Sequence, residues 1–385
     1  MSNEMPPRGQ AQASPSQEPT ARQSSPGIQS DPGISSSPGV QSSAGVQSSA
    51  GVQSSAGIEA DQGNVVVGRL APSPTGALHL GNARSFLLAW LSIRHRGGRL
   101  SLRIEDIDSP RIKPWARQST IDDLHWLGLD WDAGPDIGGP YAPYVQTERM
   151  ALYRPVLDEL IAREMVYPCD CSRSEVAASA SAPHEALEGA IYAGTCRRRC
   201  SGDAATLAIG DFAWRFRASH VTRTWQDVVS GSHSANVATQ LGDFIVAKGD
   251  GTPAYQLAVV VDDYLTGINE VLRGNDLIPS TFRQIDLLAA LAWKRPAYAH
   301  VPLMIGPDGR RLAKRHGDTR LSWFRQAGYA PQQLVGYLAW TAGLIDEPAR
   351  ATPAQLVSSW SISRLNRQNS IVETGEVLRI LDAMP

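Results

Sequence analysis

From residue 64 onward, apolar positions fall into short periodic runs separated by Gly, Pro and polar clusters. Val65-Val66-Val67 predicts a short buried strand. Asn82 to Arg96 follows a helical period, with Ala83, Phe86, Leu87 and Trp90 on one face and Gly97-Gly98 ending it. Between them, Pro72 and Pro74 are incompatible with both a helix interior and a strand ladder. RLSLRIED (99–106) alternates Leu100, Leu102 and Ile104, as a strand does. Strand, loop, helix, strand is a βαβ unit, which implies a parallel sheet and an α/β fold.

The stretch 166–205 is polar and irregular, and regular patterning resumes after it. FAWRFR (212–217) and DFIVAK (243–248) read as strands, and YQLAVVVDD (255–263) is a strongly apolar run. Ser280 is placed to cap a helix that buries Phe282, Ile285, Leu288 and Ala289. From about 321 the pattern is helical to the end. Residues 1–62 differ in kind. GVQSSA repeats at 39–44, 45–50 and 51–56, and no aromatic residue occurs before 63. Such a segment buries too little to offset its ordering entropy, so a disordered tail is expected.

The 385 residues suffice for two or three domains. A formal charge of −2 gives no whole-chain basic footprint for nucleic acid, and only a local basic face is left open. No run is long and apolar enough to span a membrane, and the N-terminus lacks an apolar signal core, so a cytoplasmic chain is expected. All four cysteines fall between Cys169 and Cys200. Clustered thiols in such a chain read as a metal site before a disulfide framework. From spacing alone, CDC (169–171) and CRRRC (196–200) put Cys169, Cys171, Cys196 and Cys200 around one zinc.

Two segments carry candidate chemistry. Pro72 to Asn82 leaves the carboxyl end of the first strand and opens a helix, where ligands of parallel sheets sit. A helix N-terminus suits phosphate, Gly76 and Gly81 allow close approach, and His79 offers a hydrogen-bond donor. GPDGRRLAKRHGD (306–318) is a Gly-rich basic loop. Only four of the 36 basic residues are lysines, and Lys314 is one of them, a compact ammonium in an arginine-rich chain.

Together these segments resemble the signatures of class I aminoacyl-tRNA synthetases. RLAPSPTGALHLGNAR (69–84) is similar to their HIGH-type motif at His79-Leu80-Gly81-Asn82, and RLAKR (311–315) to their KMSKS-type loop. The Pro-Ser-Pro-Thr-Gly lead-in, RIEDID (103–108) and YQLAVVVDDYLTGINEVLRGNDL (255–277) narrow the resemblance to the glutamyl/glutaminyl subclass. It implies a Rossmann-like catalytic domain in two halves, 63–165 and 206–320, split by a zinc-binding insertion at 166–205. A helical stem-contact-like region at 321–385 follows.

The resemblance also implies roles. ATP, with Mg2+, would activate L-glutamate to an adenylate, His79 and Gly81 contacting the nucleotide and Lys314 the leaving triphosphate. Arg69, Ser73, Glu105, Tyr255 and Arg273 carry over as glutamate contacts, Glu105 for the ammonium and the two arginines for carboxylates. Related chains use C-x-C followed by Y-x3-C, which YAGTC (192–196) fits, so Tyr192 replaces Cys200 as the fourth ligand of a structural zinc with Cys169, Cys171 and Cys196. Only 71 residues follow Lys314, room for a stem-contact region but not an anticodon domain. That, Leu277 and the YxxxC register resemble a shorter, monomeric paralogue that loads glutamate onto queuosine of tRNA(Asp). A discriminating glutamyl-tRNA synthetase lacking its anticodon domain and an inactive tRNA-binding chain are the alternatives. Arg197, Arg198 and Arg199 are either tRNA contacts or solvated.

Overall fold

The computed structural model describes residues 65–107, 112–179, 191–312 and 317–384. The repeat tail at 1–62 and Lys314 lie outside the described residues. The first unit is β1 (Val67–Leu70), α1 (Leu80–His95) and β2 (Arg99–Leu102), followed by α2 (Pro114–Trp126) and α3 (Met150–Ala162). β1 and β2 pair in parallel, Val67 opposite Arg99 and Leu70 opposite Leu102, as a βαβ unit requires. β1 begins two residues later than the valine run suggests. β2 stops at Leu102, and beyond it the chain stays extended beside the first motif. Arg103 N–H donates to Leu70 O (2.8 Å) and Glu105 N–H to Pro72 O (2.9 Å).

The middle of the chain is more regular than its composition suggests. β3 (Val166–Cys169) and α4 (Arg173–Ser179) precede β4 (Ala213–Phe216), the hairpin β5 (Thr222–Asp227) and β6 (Gly231–Asn236), the short α5 (Val237–Gln240), and β7 (Phe244–Lys248). β3, β4 and β7 form one antiparallel sheet. The apolar run at 255 is helical, α6 (Tyr255–Leu265). It is followed by β8 (Glu270–Gly274), α7 (Ile278–Ala290) and β9 (Ala297–Val301), β8 and β9 again parallel. Ser280 does not cap α7. Pro279 in the first turn, needing no N–H there, starts the helix at Ile278 and leaves Ser280 buried inside it.

The two parallel pairs lie side by side. Asn269 N–H donates to Val67 O (3.0 Å), and its side chain clamps Val67 N (2.8 Å) and Val65 O (3.0 Å). The carboxyl ends of β1 and β8 therefore face the same opening, a switch point between two βαβ halves. The last part holds β10 (Met304–Ile305), α8 (Leu321–Gln326), α9 (Pro331–Thr341), α10 (Pro353–Leu356), β11 (Ser370–Ile371) and α11 (Thr374–Ala383). It is not helical throughout, because β11 pairs in parallel with β10. Leu87, Leu88 and Leu91 of α1 share one apolar core with Leu334 and Leu338 of α9. The Arg84 guanidinium ties α1 to this region through Ser370 Oγ (2.7 Å) and Pro302 O (2.7 Å). Among the described residues no helix is long and apolar enough to cross a membrane.

Beneath the opening lies a buried charge cluster. Arg103 Nη1 donates to Asp263 Oδ1 (2.7 Å), Nη2 to Glu105 Oε1 (2.9 Å), and Nε lies 3.6 Å from Asp262 Oδ2. Asp262 also accepts from Arg149 Nε (2.7 Å), Gln146 Nε2 (2.9 Å) and the Tyr153 hydroxyl (3.1 Å). Removing one member of a buried network strands the other charges. Replacing Arg103 by Met should cost about 3–5 kcal/mol in urea unfolding. Replacing Arg117, whose pair with Glu148 is exposed, should cost at most about 1 kcal/mol. Equal small losses would contradict the central role of Arg103.

Candidate active site

The HIGH-type segment is shaped by helix capping. His79 is the N-cap of α1: Gly81 N–H donates to its Nδ1 (3.2 Å), and Asn82 Oδ1 accepts from His79 N–H (3.3 Å). A Cβ on Gly81 would sit 3.1 Å from His79 Cε1, so glycine at 81 gives the ring room to fold back. Gly81 also lines a cavity, where close approach by a ligand is expected of it. With Nδ1 accepting, the neutral ring carries its proton on Nε2 and has one donor left. Burial, with Arg311 adding to it, pushes the ring down to about 4, so His79 is neutral at pH 7.

The flanks of the basic loop return to this segment. His79 bridges Arg320, Leu80 N–H donates to Thr319 O (3.0 Å), and Leu321 N–H to Leu78 O (2.9 Å). Arg311 pairs with Asp276, and both line the cavity that His79 lines.

That cavity, about 490 Å³, opens at the carboxyl ends of β1 and β8. Arg69, Ser73, His79 and Gly81 from the first half line it with Glu105, Tyr255 and Arg273. The structure thus brings together every described residue expected to hold glutamate or ATP, while Lys314 lies outside the described residues. Glu105 gives Oε1 to Arg103 and has Oε2 left; burial raises its carboxyl, against the lowering pull of Arg103 and Arg69. Half-buried Tyr255 starts α6, and burial raises its hydroxyl. Arg69 Nε lies 3.4 Å from Asp263 Oδ1 without the alignment of a hydrogen bond.

Arg273 differs from its neighbours. It is 6% exposed, and its bonds run to neutral acceptors: Nε to His300 Nε2 (3.2 Å), and Nη2 to Thr281 Oγ1 (2.7 Å) and Gln284 Oε1 (2.7 Å). Its Nη1 is buried with no hydrogen-bond partner among the described residues. A buried guanidinium that lines a cavity and makes no bond to a carboxylate keeps its charge uncompensated by direct pairing.

The cysteines form a second centre. The Sγ atoms of Cys169, Cys171 and Cys196 all lie within 4.8 Å of one another, and Cys200 is exposed and outside the group. The Tyr192 hydroxyl lies 3.4 Å from Cys169 Sγ and 3.7 Å from Cys171 Sγ, and Cys171 Sγ lies 3.6 Å from Cys196 Sγ. Tetrahedral Zn–S bonds of about 2.3 Å separate sulfurs by about 3.8 Å, so this donor set fits a zinc ion. The neighbouring arginines are partly consumed here. Arg197 pairs with Asp243, Arg199 Nη2 with Asp170 Oδ2 (2.9 Å), and Arg198 is exposed. Arg197 and Arg199 brace the knuckle internally, leaving Arg198 of the three on the surface.

Sequence reasoning missed Arg103, Asp262, Asp263, Asp227 and His300. For all but Asp227 the signal was a polar residue inside an apolar run (LRI, VVVDD, YAHV), which demands buried partners but does not name them.

The parallel halves, the switch-point cavity and the capped His79 define a class I synthetase catalytic fold. The chain belongs to the tRNA synthetases class I (E and Q), whose catalytic-domain model matches residues 65–355. It is 49% identical over 307 residues to the glutamyl-Q tRNA(Asp) synthetase of Symbiobacterium thermophilum, covering 79% of this chain and 95% of that one. The enzyme of the same name from Rhodopirellula baltica is 46% identical, with 79% and 96% covered. A glutamate tRNA ligase from Elizabethkingia meningosepticum, solved in complex with its amino acid, superposes with a TM-score of 0.69 at 27% identity. That match covers 82% of this chain and 69% of the ligase.

In the free protein, the His79 ring should titrate near 4 in an NMR pH series. A midpoint at or above 6.5 would mean that the ring is solvated and not packed as a cap.

Proposed function

We propose that this chain activates L-glutamate with ATP in the absence of tRNA and transfers it to queuosine at the wobble position of tRNA(Asp). The observation that carries the glutamate reading is Arg273 in the cavity lining, a guanidinium bonded only to neutral acceptors and with its Nη1 unpartnered among the described residues. Arg69 stands beside it for a second carboxylate, and the remaining Glu105 oxygen suits an ammonium. Ser73 and the Tyr255 hydroxyl add neutral contacts. Coverage of 95% of a relative named for glutamyl-Q transfer supports the acceptor.

In the chemistry, a glutamate α-carboxylate oxygen attacks the α-phosphorus of ATP. A P–O bond forms, the bond to the bridging oxygen breaks, and pyrophosphate leaves with the electron pair. The products are glutamyl-adenylate and pyrophosphate. No covalent enzyme intermediate is needed, so the protein works by positioning and charge stabilisation. His79, neutral, donates from Nε2 to a phosphate oxygen beside Gly81. Lys314 meets the departing pyrophosphate, with magnesium travelling on the nucleotide. A queuosine hydroxyl then attacks the mixed anhydride and releases AMP.

Cys169, Cys171, Cys196 and Tyr192 would hold a structural zinc, which supplies a covalent-strength cross-link between β3 and the 191–200 segment. The Arg215 guanidinium, 3.8 Å from the Tyr192 ring centroid, supports the phenol's orientation. The chain would act in the cytoplasm as a monomer.

Two measurements test this. Purified protein should catalyse glutamate-dependent ATP–pyrophosphate exchange without tRNA and label queuosine-containing, not queuosine-free, tRNA(Asp). Charging of tRNA(Glu) instead, with exchange only in its presence, would overturn the acceptor assignment. One zinc per chain should be measured by plasma emission, retained in Cys200→Ser and lost in Cys169→Ser. Loss in Cys200→Ser would give the fourth ligand to Cys200.

A further inference from the structure

Behind Arg273, away from the cavity, lie two fully buried side chains, Asp227 at the end of β5 and His300 in β9. Asp227 Oδ1 accepts from three backbone N–H groups, those of Val229 (2.9 Å), Ser230 (2.8 Å) and His300 (3.0 Å). Its Oδ2 faces His300 Nδ1 at 2.6 Å. Burial works against this carboxylate's charge, but the His300 and backbone hydrogen bonds outweigh it and hold its pKa well below the usual range. Burial pushes His300 down to about 4 despite the Asp227 bond, and the Arg273 charge lowers it further. At pH 7 the pair is therefore a carboxylate and a neutral imidazole.

A neutral imidazole has one N–H. Facing a carboxylate, it must be on Nδ1, which leaves Nε2 a lone pair. That lone pair meets Arg273 Nε at 3.2 Å and Thr281 Oγ1 at 2.9 Å. The arrangement fixes the plane of Arg273 without neutralising it. A carboxylate in place of His300 would consume the charge that the substrate has to meet.

We infer that Asp227 and His300 are positioning residues for glutamate, Asp227 fixing the His300 tautomer whose lone pair holds Arg273 in its substrate-facing orientation. This rests on the reading of Arg273 as a carboxylate ligand. Asp227→Asn separates tautomer from packing. The Asn oxygen takes the three backbone donors, so its NH2 faces His300 Nδ1. The ring proton then moves to Nε2, and two donors confront each other at Arg273.

The experiment is ATP–pyrophosphate exchange on the intact chain, with KM for glutamate and for ATP determined separately, alongside thermal unfolding. Asp227→Asn and His300→Asn should raise the glutamate KM about tenfold or more, with the ATP KM within about twofold. His300→Gln, which keeps a distal acceptor, should lie closer to wild type. A purely structural role would lower Tm and active fraction but leave the glutamate KM unchanged, which overturns the inference. Arg273→Lys is the control: if it also leaves the glutamate KM unchanged, the carboxylate reading fails and the inference with it. Should the Asn variants not fold, nitrogen shifts of His300 in the wild-type chain decide. The Nδ1–H tautomer is expected, and the Nε2–H tautomer overturns the proposal.

Discussion

Arg103 is 2% exposed and is in ion-pair contact with Glu105, Asp262 and Asp263, which come from two different elements. Three carboxylates cannot share a dry interior without a cation, and removing the cation would strand all three charges. The contact therefore binds the extended chain after β2 to α6, and through Asp262 to Arg149 at the N-cap of α3 and Tyr153 within it. Glu105, whose Oε1 Arg103 holds, is the member of this network that lines the cavity.

The two sides of the cavity solve opposite problems. On the Arg103 side, acids and bases cancel one another, so that side is rigid and its charge is spent internally. On the Arg273 side, a histidine, a threonine and a glutamine hold the guanidinium by neutral acceptors, so its charge remains for a ligand. This asymmetry is what the proposed selectivity for an anionic amino acid rests on. At the mouth, the capped His79 adds a neutral donor at a helix N-terminus, a setting suited to phosphate oxygens.

The βαβ start was legible because Leu100 and Leu102 alternate while Ala83, Phe86, Leu87 and Trp90 recur at helical spacing, and those two periods seldom mimic each other. The family register selected Arg69, Glu105, Tyr255 and Arg273, and the fold brings these four to one cavity from segments up to about two hundred residues apart. The capping function of His79 was not legible, since histidine is an uncommon N-cap and the ring could equally have faced solvent. The start of α7 was misjudged because Pro279 competes with Ser280 and prefers the first turn. The partners of Arg103 and His300 are long-range, 160 residues to Asp263 and 73 to Asp227, and no local pattern encodes such pairings.

The central claim is that an uncompensated guanidinium selects a second carboxylate. Titration calorimetry of L-glutamate and L-glutamine into the free protein tests it most directly, because the two ligands have nearly the same shape but one carries a carboxylate where the other carries a neutral amide. Glutamate should bind measurably, with glutamine weaker by about a hundredfold, a loss of about 3 kcal/mol. Equal affinities would contradict the claim.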